Sequence, residues 1–303
     1  MRLLIVGSNG QLGHDLMTQA RQRGWFATGA DMPVCDITDR QSVERAIESA
    51  GSADVPADEP IDLLINAAAY TAVDKAESEP EIAFAVNRDG ADVLARACRD
   101  HRIPLIHVST DYVFDGRQTH PYRPTDPVNP QGVYGKSKAE GEARIRQIWE
   151  RHVIVRTSWL FGRHGANFVK TMIRLGKERE ILRVVDDQAG CPTYAGDLAG
   201  ALLDAAEDVT AKNDGWGTYH YCNEGAVTWY GFTRRILTLA GRYERVRVRQ
   251  ILPIPTSQYP LPAPRPQYSV LDCTSFEASF GVTRRPWEAA LQEMLADIYG
   301  NAS

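Results

Sequence analysis

The chain lacks paired cysteines, clustered histidines and any apolar run long enough to cross a bilayer. Its five cysteines are scattered and odd in number, and none forms a Cys-x-x-Cys pair, a pattern typical of reduced thiols in cytosol. The seven histidines form no His-x-His or His-x-x-x-His pair, so the sequence predicts no metal site. The apolar stretch at residues 1–6 is too short for a signal peptide. We therefore expect a cytoplasmic protein with no membrane partner.

An excess of positive charge is also missing. The net charge is −5, which argues against binding to a nucleic-acid backbone. Bound anions must then be held by local amides and a few arginines. The 303 residues, 43% of them hydrophobic and 24% charged, are typical of a soluble enzyme with one large or two modest domains.

Apolar strand patterns alternate with helical patterns through the first half of the chain. Predicted strands cover 2–6, 26–30, 61–66, 105–108 and 153–156, and predicted helices cover 11–23, 39–50, 80–101 and 134–151. Parallel strands need crossover helices, so this alternation predicts an α/β fold with a Rossmann-like, doubly wound parallel sheet.

Other segments interrupt this rhythm. Residues 51–60 are polar and acidic and predict a surface loop. Residues 114–133 contain four prolines and predict a long irregular loop that forms an active-site wall. Six prolines in 253–266 predict an extended connection. We expect residues 1–157 to form the dinucleotide-binding domain, joined by parts of 186–210, and residues 158–303 to form mainly a smaller mixed α/β substrate lobe.

A glycine-rich turn follows the first predicted strand. Gly7, Gly10 and Gly13 are spaced as Gly-x-x-Gly-x-x-Gly. The predicted helix begins at Gln11, and Leu12 is its second residue. Such glycines let a pyrophosphate approach the backbone, and the helix start offers free amides to it. The spacing differs from Gly-x-Gly-x-x-Gly, so an ordinary strand–turn–helix with small packing residues remains the alternative.

An acidic residue after the second predicted strand indicates where a ribose would bind. Asp31 lies at the expected distance from the glycines and would repel a 2′-phosphate, so NADH should be tolerated, and strict use of NADPH would require a cation. Asp36 and Ile37 would flank the adenine, although Asp36 could equally cap a turn before Thr38. The small side chains of Ala67–Ala69 leave room for the cofactor or serve tight helix packing.

A Tyr-x-x-x-Lys pair is the candidate for proton transfer. Tyr134 and Lys138 lie on one face of the predicted helix, and Thr110 ends the fourth strand. We expect the lysine ammonium to lower the pKa of the tyrosine toward the working range. Tyr134 would then protonate the alkoxide that hydride delivery creates, with Thr110 bonded to the same oxygen. Alone, this pair would indicate only a surface helix, but the glycine turn upstream favours an oxidoreductase.

These motifs resemble the extended short-chain dehydrogenase/reductase superfamily. Within it, nearly the whole chain is similar to the dTDP-4-dehydrorhamnose reductase family, in the stretches GSNGQLG (7–13), NAAAYTAVDKAESEPEIAFAVN (66–87), STDYVFDG (109–116), YGKSKAEGE (134–142), RTSWLFG (156–162) and DQAGCPT (187–193). The resemblance implies NADPH- or NADH-dependent reduction of dTDP-4-dehydro-6-deoxy-L-mannose to dTDP-L-rhamnose, which feeds cell-surface polysaccharide.

The resemblance also implies roles by position. Lys138 would hold the nicotinamide ribose and tune Tyr134. The remaining implied cofactor residues are Gly10, Gln11, Leu12, Asp31, Asp36, Ile37, Ala67, Ala68, Ala69 and Thr110, and the implied substrate residues are Tyr112, Val113, Trp159 and Arg265. For Tyr112 and Trp159 a place in the core is the competing interpretation, and for Arg265 it is an ordinary surface arginine.

Two alternatives remain at this point. A sugar-nucleotide epimerase of the same superfamily could use the same Tyr/Lys pair with a retained cofactor. A dehydratase would carry an acidic residue after Thr-Asp, where this chain has Tyr112. A non-catalytic regulatory subunit of methionine adenosyltransferase would bind a dinucleotide but would need no proton donor. The sequence leaves magnesium dependence, a homodimer, the preferred cofactor and the accepted deoxysugar open.

Overall fold

The computed structural model describes residues 1–52 and 60–300, without the side chains of residues 51 and 52. Of the predicted loop 51–60, the first two residues complete a helix, and residues 53–59 lie outside the described part of the chain. Because the helix runs to Ser52, the loop prediction is wrong at residues 51 and 52.

A six-stranded parallel sheet organises the molecule. Its strands are β1 (Arg2–Val6), β2 (Phe26–Ala30), β3 (Leu63–Asn66), β4 (Leu105–Thr110), β5 (His152–Thr157) and β10 (Gly217–His220). They lie in the order β10-β5-β4-β3-β1-β2, and every neighbouring pair is parallel. The chain reverses direction across the sheet between β1 and β3, and such a switch point opens a ligand crevice at the carboxyl ends of the strands. The predicted fold class is confirmed.

Helices flank the sheet and build the second lobe. They are α1 (Gln11–Gln22), α2 (Arg40–Ser52), α3 (Val73–Ala76), α4 (Pro80–Phe84), α5 (Gly90–His101), α6 (Val133–Ile148), α7 (Phe168–Glu178), α8 (Ala195–Lys212), α9 (Trp229–Ala240), α10 (Thr274–Phe280) and α11 (Trp287–Gly300). Short strand pairs complete the smaller lobe: β6 (Leu160–Phe161) with β9 (Thr193–Tyr194), β7 (Ile181–Val185) with β12 (Gln250–Ile254), and β8 (Ala189–Gly190) with β11 (Val227–Thr228).

Each face of the sheet has its own apolar core, because a parallel sheet is covered on both sides. Along β1, Leu3 and Ile5 point toward α1 and α8, whereas Leu4 and Val6 point toward α2 and α5. All four side chains are buried. This packing fixes the strand ends, and with them the residues that follow each strand.

Two elements differ from the prediction by more than a shift of their ends. The helix predicted at 80–101 contains a π-helical turn at Ala85–Asp89 between α4 and α5. The sixth strand, Gly217–His220, comes from far along the chain and lies beyond the segment 186–210 that was expected to return to the sheet. Its four residues carry too little local signal to identify a strand. Among the helices of the described residues, none combines the length and apolar composition that a membrane span requires.

Candidate active site

A cleft of about 650 Å³ opens at the carboxyl ends of β1, β3 and β4, between the sheet and the second lobe. It brings together most of the residues singled out in the sequence: Gly7, Gly10, Gln11, Leu12, Asp31, Asp36, Ile37, Ala67, Ala68, Ala69, Thr110, Tyr112, Tyr134, Lys138 and Trp159. The glycine turn therefore shares one cavity with the Tyr/Lys pair, as the spacing of the motifs predicts.

The glycine turn has the form of an anion cradle. Gly7 adopts a φ of +82°, and a Cβ there would lie 2.5 Å from the amide nitrogen of Ala68. Gly10 precedes α1 without any side-chain cap, and the first bond of that helix runs from the amide of His14 to Gly10 O at 3.1 Å. The amides of Gln11 and Leu12 precede that bond and have no acceptor within the helix. The turn therefore fits the pyrophosphate of a dinucleotide.

Asp31 stands where β2 ends, and its carboxylate is held by the backbone. One oxygen accepts from the amide of Asn9 at 3.0 Å and the other from the amide of Met32 at 2.8 Å. Asp36 lines the same cleft and also caps the turn before Thr38, accepting from its amide at 2.9 Å and its hydroxyl at 2.8 Å. The turn-capping interpretation of Asp36 is therefore confirmed, and a contact with the adenine stays a prediction. Among the described residues that line the cleft, Lys138 is the only lysine or arginine.

Tyr134 is a buried phenol. Burial raises the pKa of Tyr134 to about 12, the Asp111 carboxylate acts in the same direction, and a hydrogen bond with Thr110 opposes them. The prediction that an adjacent ammonium lowers this pKa is therefore wrong for this structure. The physical reason is that loss of water disfavours the phenolate more than its neighbours favour it. A phenol that keeps its proton is suited to donating it.

Lys138 directs its terminal amino group at the sheet. Its Nζ donates to Val108 O at 2.7 Å and lies 3.2 Å from His107 Nε2. The side chain is only 2% exposed, and burial lowers the pKa of Lys138 to about 8, opposed by Glu142. An ordinary lysine titrates near 10.4, so this group exchanges its proton much closer to neutrality.

Helix α6 is held tightly against the neighbouring segments. A Cβ on Gly135 would lie 2.2 Å from Tyr112 O, so only glycine lets the helix approach that backbone. Two residues later, the Ser137 hydroxyl donates to Tyr134 O at 2.8 Å and accepts from Asn87 Nδ2 at 3.0 Å. Asn87 lies in the π-helical turn and also accepts from the amide of Tyr70 at 2.9 Å. The π-turn thus links the loop after β3 to the helix that carries Tyr134 and Lys138.

A buried ion-pair network anchors the same helix to the sheet. Glu142 accepts from Arg156 Nε at 2.9 Å and Nη2 at 2.7 Å, from Ser109 Oγ at 2.6 Å and from Arg146 Nη1 at 3.1 Å. These bonds hold the pKa of Glu142 below its ordinary value despite complete burial. The network fixes how far α6 can slide along β4 and β5.

Aromatic side chains line the cleft beside Tyr134. The ring of Tyr112 meets that of Tyr134 edge to face at 5.5 Å between centroids. Trp159 has a φ of +48° and stacks on Trp229 at 3.4 Å. Tyr112 and Trp159 are both partly exposed and line the cleft, and each also packs against a buried apolar cluster, so neither ring lies wholly in the core.

Three predicted residues lie away from the cleft wall. Gly13 is packed against the turn, because a Cβ there would lie 2.2 Å from Gly7 O. Val113 is fully buried in a cluster with Phe114 and Tyr122. Arg265 is engaged in two bonds to Asp74, at 2.6 and 2.7 Å.

Asp111 belongs to the site but was not among the residues predicted from the sequence. Asp111 lines the cleft, burial raises its pKa to about 6, and its Oδ2 is buried without a hydrogen-bond partner within the described structure. That oxygen can accept a hydrogen bond from a ligand hydroxyl. In the sequence, the comparison with dehydratases concerned only the residue after Thr-Asp, which is Tyr112 here. It gave no role to Asp111 itself. Across residues 1–52 and 60–300, no cluster of three or more His, Cys, Asp or Glu side chains is arranged to hold a metal ion.

A doubly wound parallel sheet whose switch point joins a glycine turn to a Thr/Tyr/Lys group defines a dinucleotide-binding oxidoreductase of the short-chain dehydrogenase/reductase superfamily. The model of the family described as "RmlD substrate binding domain" matches residues 1–299, and the chain belongs to that family.

Relatives and solved structures agree with this assignment. The chain is 42% identical over 298 residues to a dTDP-4-dehydrorhamnose reductase of Aggregatibacter actinomycetemcomitans, covering 97% of this chain and 98% of that protein. The structure of a dTDP-4-dehydrorhamnose reductase from Clostridium acetobutylicum aligns with a TM-score of 0.88 at 38% identity, covering 98% of this chain and 99% of that one. The Bacillus anthracis enzyme in complex with NADP aligns with a TM-score of 0.88 at 35% identity and the same coverage. The family predicted from the sequence is confirmed.

Proposed function

We propose that this protein is a dTDP-4-dehydrorhamnose reductase that reduces dTDP-4-dehydro-6-deoxy-L-mannose to dTDP-L-rhamnose with NADPH or NADH, the last step of dTDP-rhamnose formation. The observation that carries the proposal is that Tyr134, Thr110 and Lys138 line the same cleft as the glycine turn at Gly7 and Gly10. The family match makes the reductase the favoured function over an epimerase or a regulatory subunit.

When bound, the nicotinamide would supply the hydride for the 4-keto carbon. Tyr134 donates its phenolic proton to the oxygen that becomes the new hydroxyl, and Thr110 hydrogen-bonds the same oxygen. Lys138 binds the ribose hydroxyls beside the nicotinamide and returns a proton to Tyr134. We assign the cofactor's pyrophosphate to the amides of Gly10 and Gln11. The other proposed cofactor contacts are Gly7, Leu12, Gly13, Asp31, Asp36, Ile37, Ala67, Ala68 and Ala69.

At the substrate end, Tyr112 and Trp159 are proposed to contact the sugar nucleotide, since both rings line the cleft beside Tyr134. Val113 and Arg265 remain proposed substrate residues from the family resemblance. For Arg265 to meet a diphosphate it must exchange at least one of its bonds to Asp74. Because a bidentate arginine–carboxylate pair is a strong hydrogen-bonded contact, we place Arg265 at the edge of the substrate site and not at its centre.

The direct test is an assay that follows NADPH and NADH absorbance with the 4-keto sugar nucleotide and close analogues. We expect one equivalent of reduced cofactor to be consumed for each dTDP-L-rhamnose formed. An epimerase would interconvert sugars without net consumption of added cofactor. A protein that binds the cofactor, consumes none with any substrate and co-purifies with a methionine adenosyltransferase would contradict the proposal.

Asp31 should set the choice between the two cofactors. Its carboxylate faces the adenosine end of the cleft without a neighbouring lining cation, so a 2′-phosphate there is repelled. We expect a higher kcat/KM with NADH, and Asp31→Asn should raise the NADPH-to-NADH ratio of kcat/KM about tenfold, equivalent to about 1.4 kcal/mol. Asp39→Asn, at the cap of α2 and outside the cleft, is the matched control. An unchanged ratio in Asp31→Asn would remove Asp31 from cofactor selection.

Domain division, location and assembly are further proposals. We propose a cofactor domain of residues 1–157, with parts of 186–210 returning to it, and a substrate lobe built mainly from 158–303. The contact of α8 with α1 supports the return, and strand 217–220 extends it. Five free, buried cysteines support a cytoplasmic location. A homodimer is to be tested by the molar mass from light scattering.

A further inference from the structure

His107 is a buried imidazole in contact with Lys138 that takes no part in the proton transfers described above. It lies on β4 and is 1% exposed. In the parallel ladder its register partner on β3 is Asn66, so the two side chains emerge on the same face of adjacent strands. Three side chains, Asn66, His107 and Lys138, therefore form a continuous buried row behind the reacting tyrosine.

The hydrogen bonds of Asn66 determine the tautomer of His107. Asn66 Oδ1 accepts from the amide of Ala68 at 3.0 Å, which fixes the orientation of the side-chain amide. Its Nδ2 group must then be the donor toward His107 Nδ1, 3.0 Å away. Since Nδ1 accepts, the neutral ring carries its proton on Nε2.

This tautomer places a donor against Lys138. The Nε2–H group of His107 lies 3.2 Å from Lys138 Nζ. An ammonium group has three donors and no acceptor, whereas a neutral amine has a lone pair that can accept from Nε2–H. The neutral amine can also keep its bond to Val108 O at 2.7 Å. Only the neutral form of Lys138 therefore satisfies every hydrogen bond in the row.

We propose that His107 is a positioning residue of the reductase: Asn66 holds it in the tautomer with the proton on Nε2, and this N–H biases Lys138 toward the neutral amine. The proposal rests on the proposed function for its kinetic consequence. Lys138 must carry a proton to return it to Tyr134, so the bias sets the pH at which turnover begins to fall. That limb should lie near pH 8, consistent with the pKa that burial gives Lys138.

Other charged groups around the row either oppose this bias or leave it unchanged. Glu142, one turn further along α6, favours the ammonium, but its oxygens are occupied by Arg156, Arg146 and Ser109. Burial lowers the pKa of His107 well below its ordinary value. His152 on β5 and a protonated Lys138 on α6 act in the same direction. His107 is thus neutral across the working range, and its tautomer is what matters.

The test uses Asn66→Asp, which keeps the size and shape of the side chain. One carboxylate oxygen can still accept from the amide of Ala68. The other oxygen replaces the donor Nδ2 with an acceptor, so His107 Nδ1 must carry the proton and donate to it. Nε2 then becomes an acceptor for the Lys138 ammonium. We expect the alkaline limb of kcat to move upward by about one pH unit, the size of shift that a redirected hydrogen bond and a nearby charge produce. His152→Gln, which removes a neighbouring buried imidazole without touching Lys138, should leave the limb in place.

A second measurement does not depend on turnover. Nitrogen-15 NMR of histidine-labelled protein distinguishes the two neutral tautomers, and we expect the Nε2–H form of His107 in the wild type and the Nδ1–H form in Asn66→Asp. A wild-type His107 that is protonated on Nδ1, or a variant with the reversed tautomer and an unmoved limb, overturns the proposal. If Asn66→Asp does not fold, the wild-type tautomer decides. If no 4-keto sugar nucleotide is reduced, the proposed function fails, but the NMR measurement still determines the tautomer of His107.

Discussion

Tyr134→Phe should abolish most turnover and leave the protein folded and able to bind its cofactor. The hydroxyl is the proposed proton donor, and removing a positioned general acid costs about a hundred- to ten-thousand-fold in rate. The phenylalanine ring can keep the packing of Tyr134 against Ala76 and Ala83, because only one atom is lost. Initial rates from NADH absorbance measure kcat, and quenching of protein fluorescence measures cofactor binding.

The matched control is Tyr219→Phe. Tyr219 lies on β10, remote from the cleft, and its hydroxyl donates to Gly215 O at 3.0 Å. We expect its kcat to remain unchanged. The loss in Tyr134→Phe should also appear in single-turnover experiments, since it affects the chemical step and not product release. A Tyr134→Phe enzyme with full activity would remove this residue from the mechanism.

Glu142→Gln should have the largest effect on stability. The substitution leaves the buried Arg156 and the partly exposed Arg146 without their counter-charge. It also replaces one carboxylate oxygen with an NH₂ group, which cannot accept from a guanidinium. Breaking a buried ion pair by removing one partner costs about 3–5 kcal/mol in the free energy of unfolding. Urea unfolding followed by circular dichroism measures the loss. Glu140→Gln, on the same helix but exposed and 3.5 Å from Arg88, should cost about 0–1 kcal/mol.

The same network predicts sensitivity to acid. Because the folded protein holds the pKa of Glu142 below its unfolded value, the group stabilises the fold above the unfolded pKa. This stabilisation is lost as the pH falls through the folded pKa. The wild type should therefore lose more stability on acidification than Glu142→Gln does. Parallel acid dependences for the two proteins would show that the ion pair contributes nothing to the folded state.

Local patterns made the first half of the fold predictable. Strand 2–6 and strand 26–30 match the structure residue for residue, because their apolar side chains and flanking turn residues are contiguous in the chain. The cap of α2 at Asp39 and the proline at the start of α4 are likewise local signals. The sixth strand and the π-helical turn have no such signal, since contacts with remote segments stabilise them.

The amino-acid sequence by itself determined the parallel sheet, the glycine turn and the identity of Thr110, Tyr134 and Lys138, because each of these depends on spacing within one element or between neighbouring ones. Only the tertiary structure decided the protonation of the site. The pKa of Tyr134 and the tautomer of His107 depend on burial and on partners from other strands, such as Asn66, which lies 41 residues from His107 along the chain. Water exclusion and hydrogen-bond direction are properties of the packed state, so no local pattern encodes them.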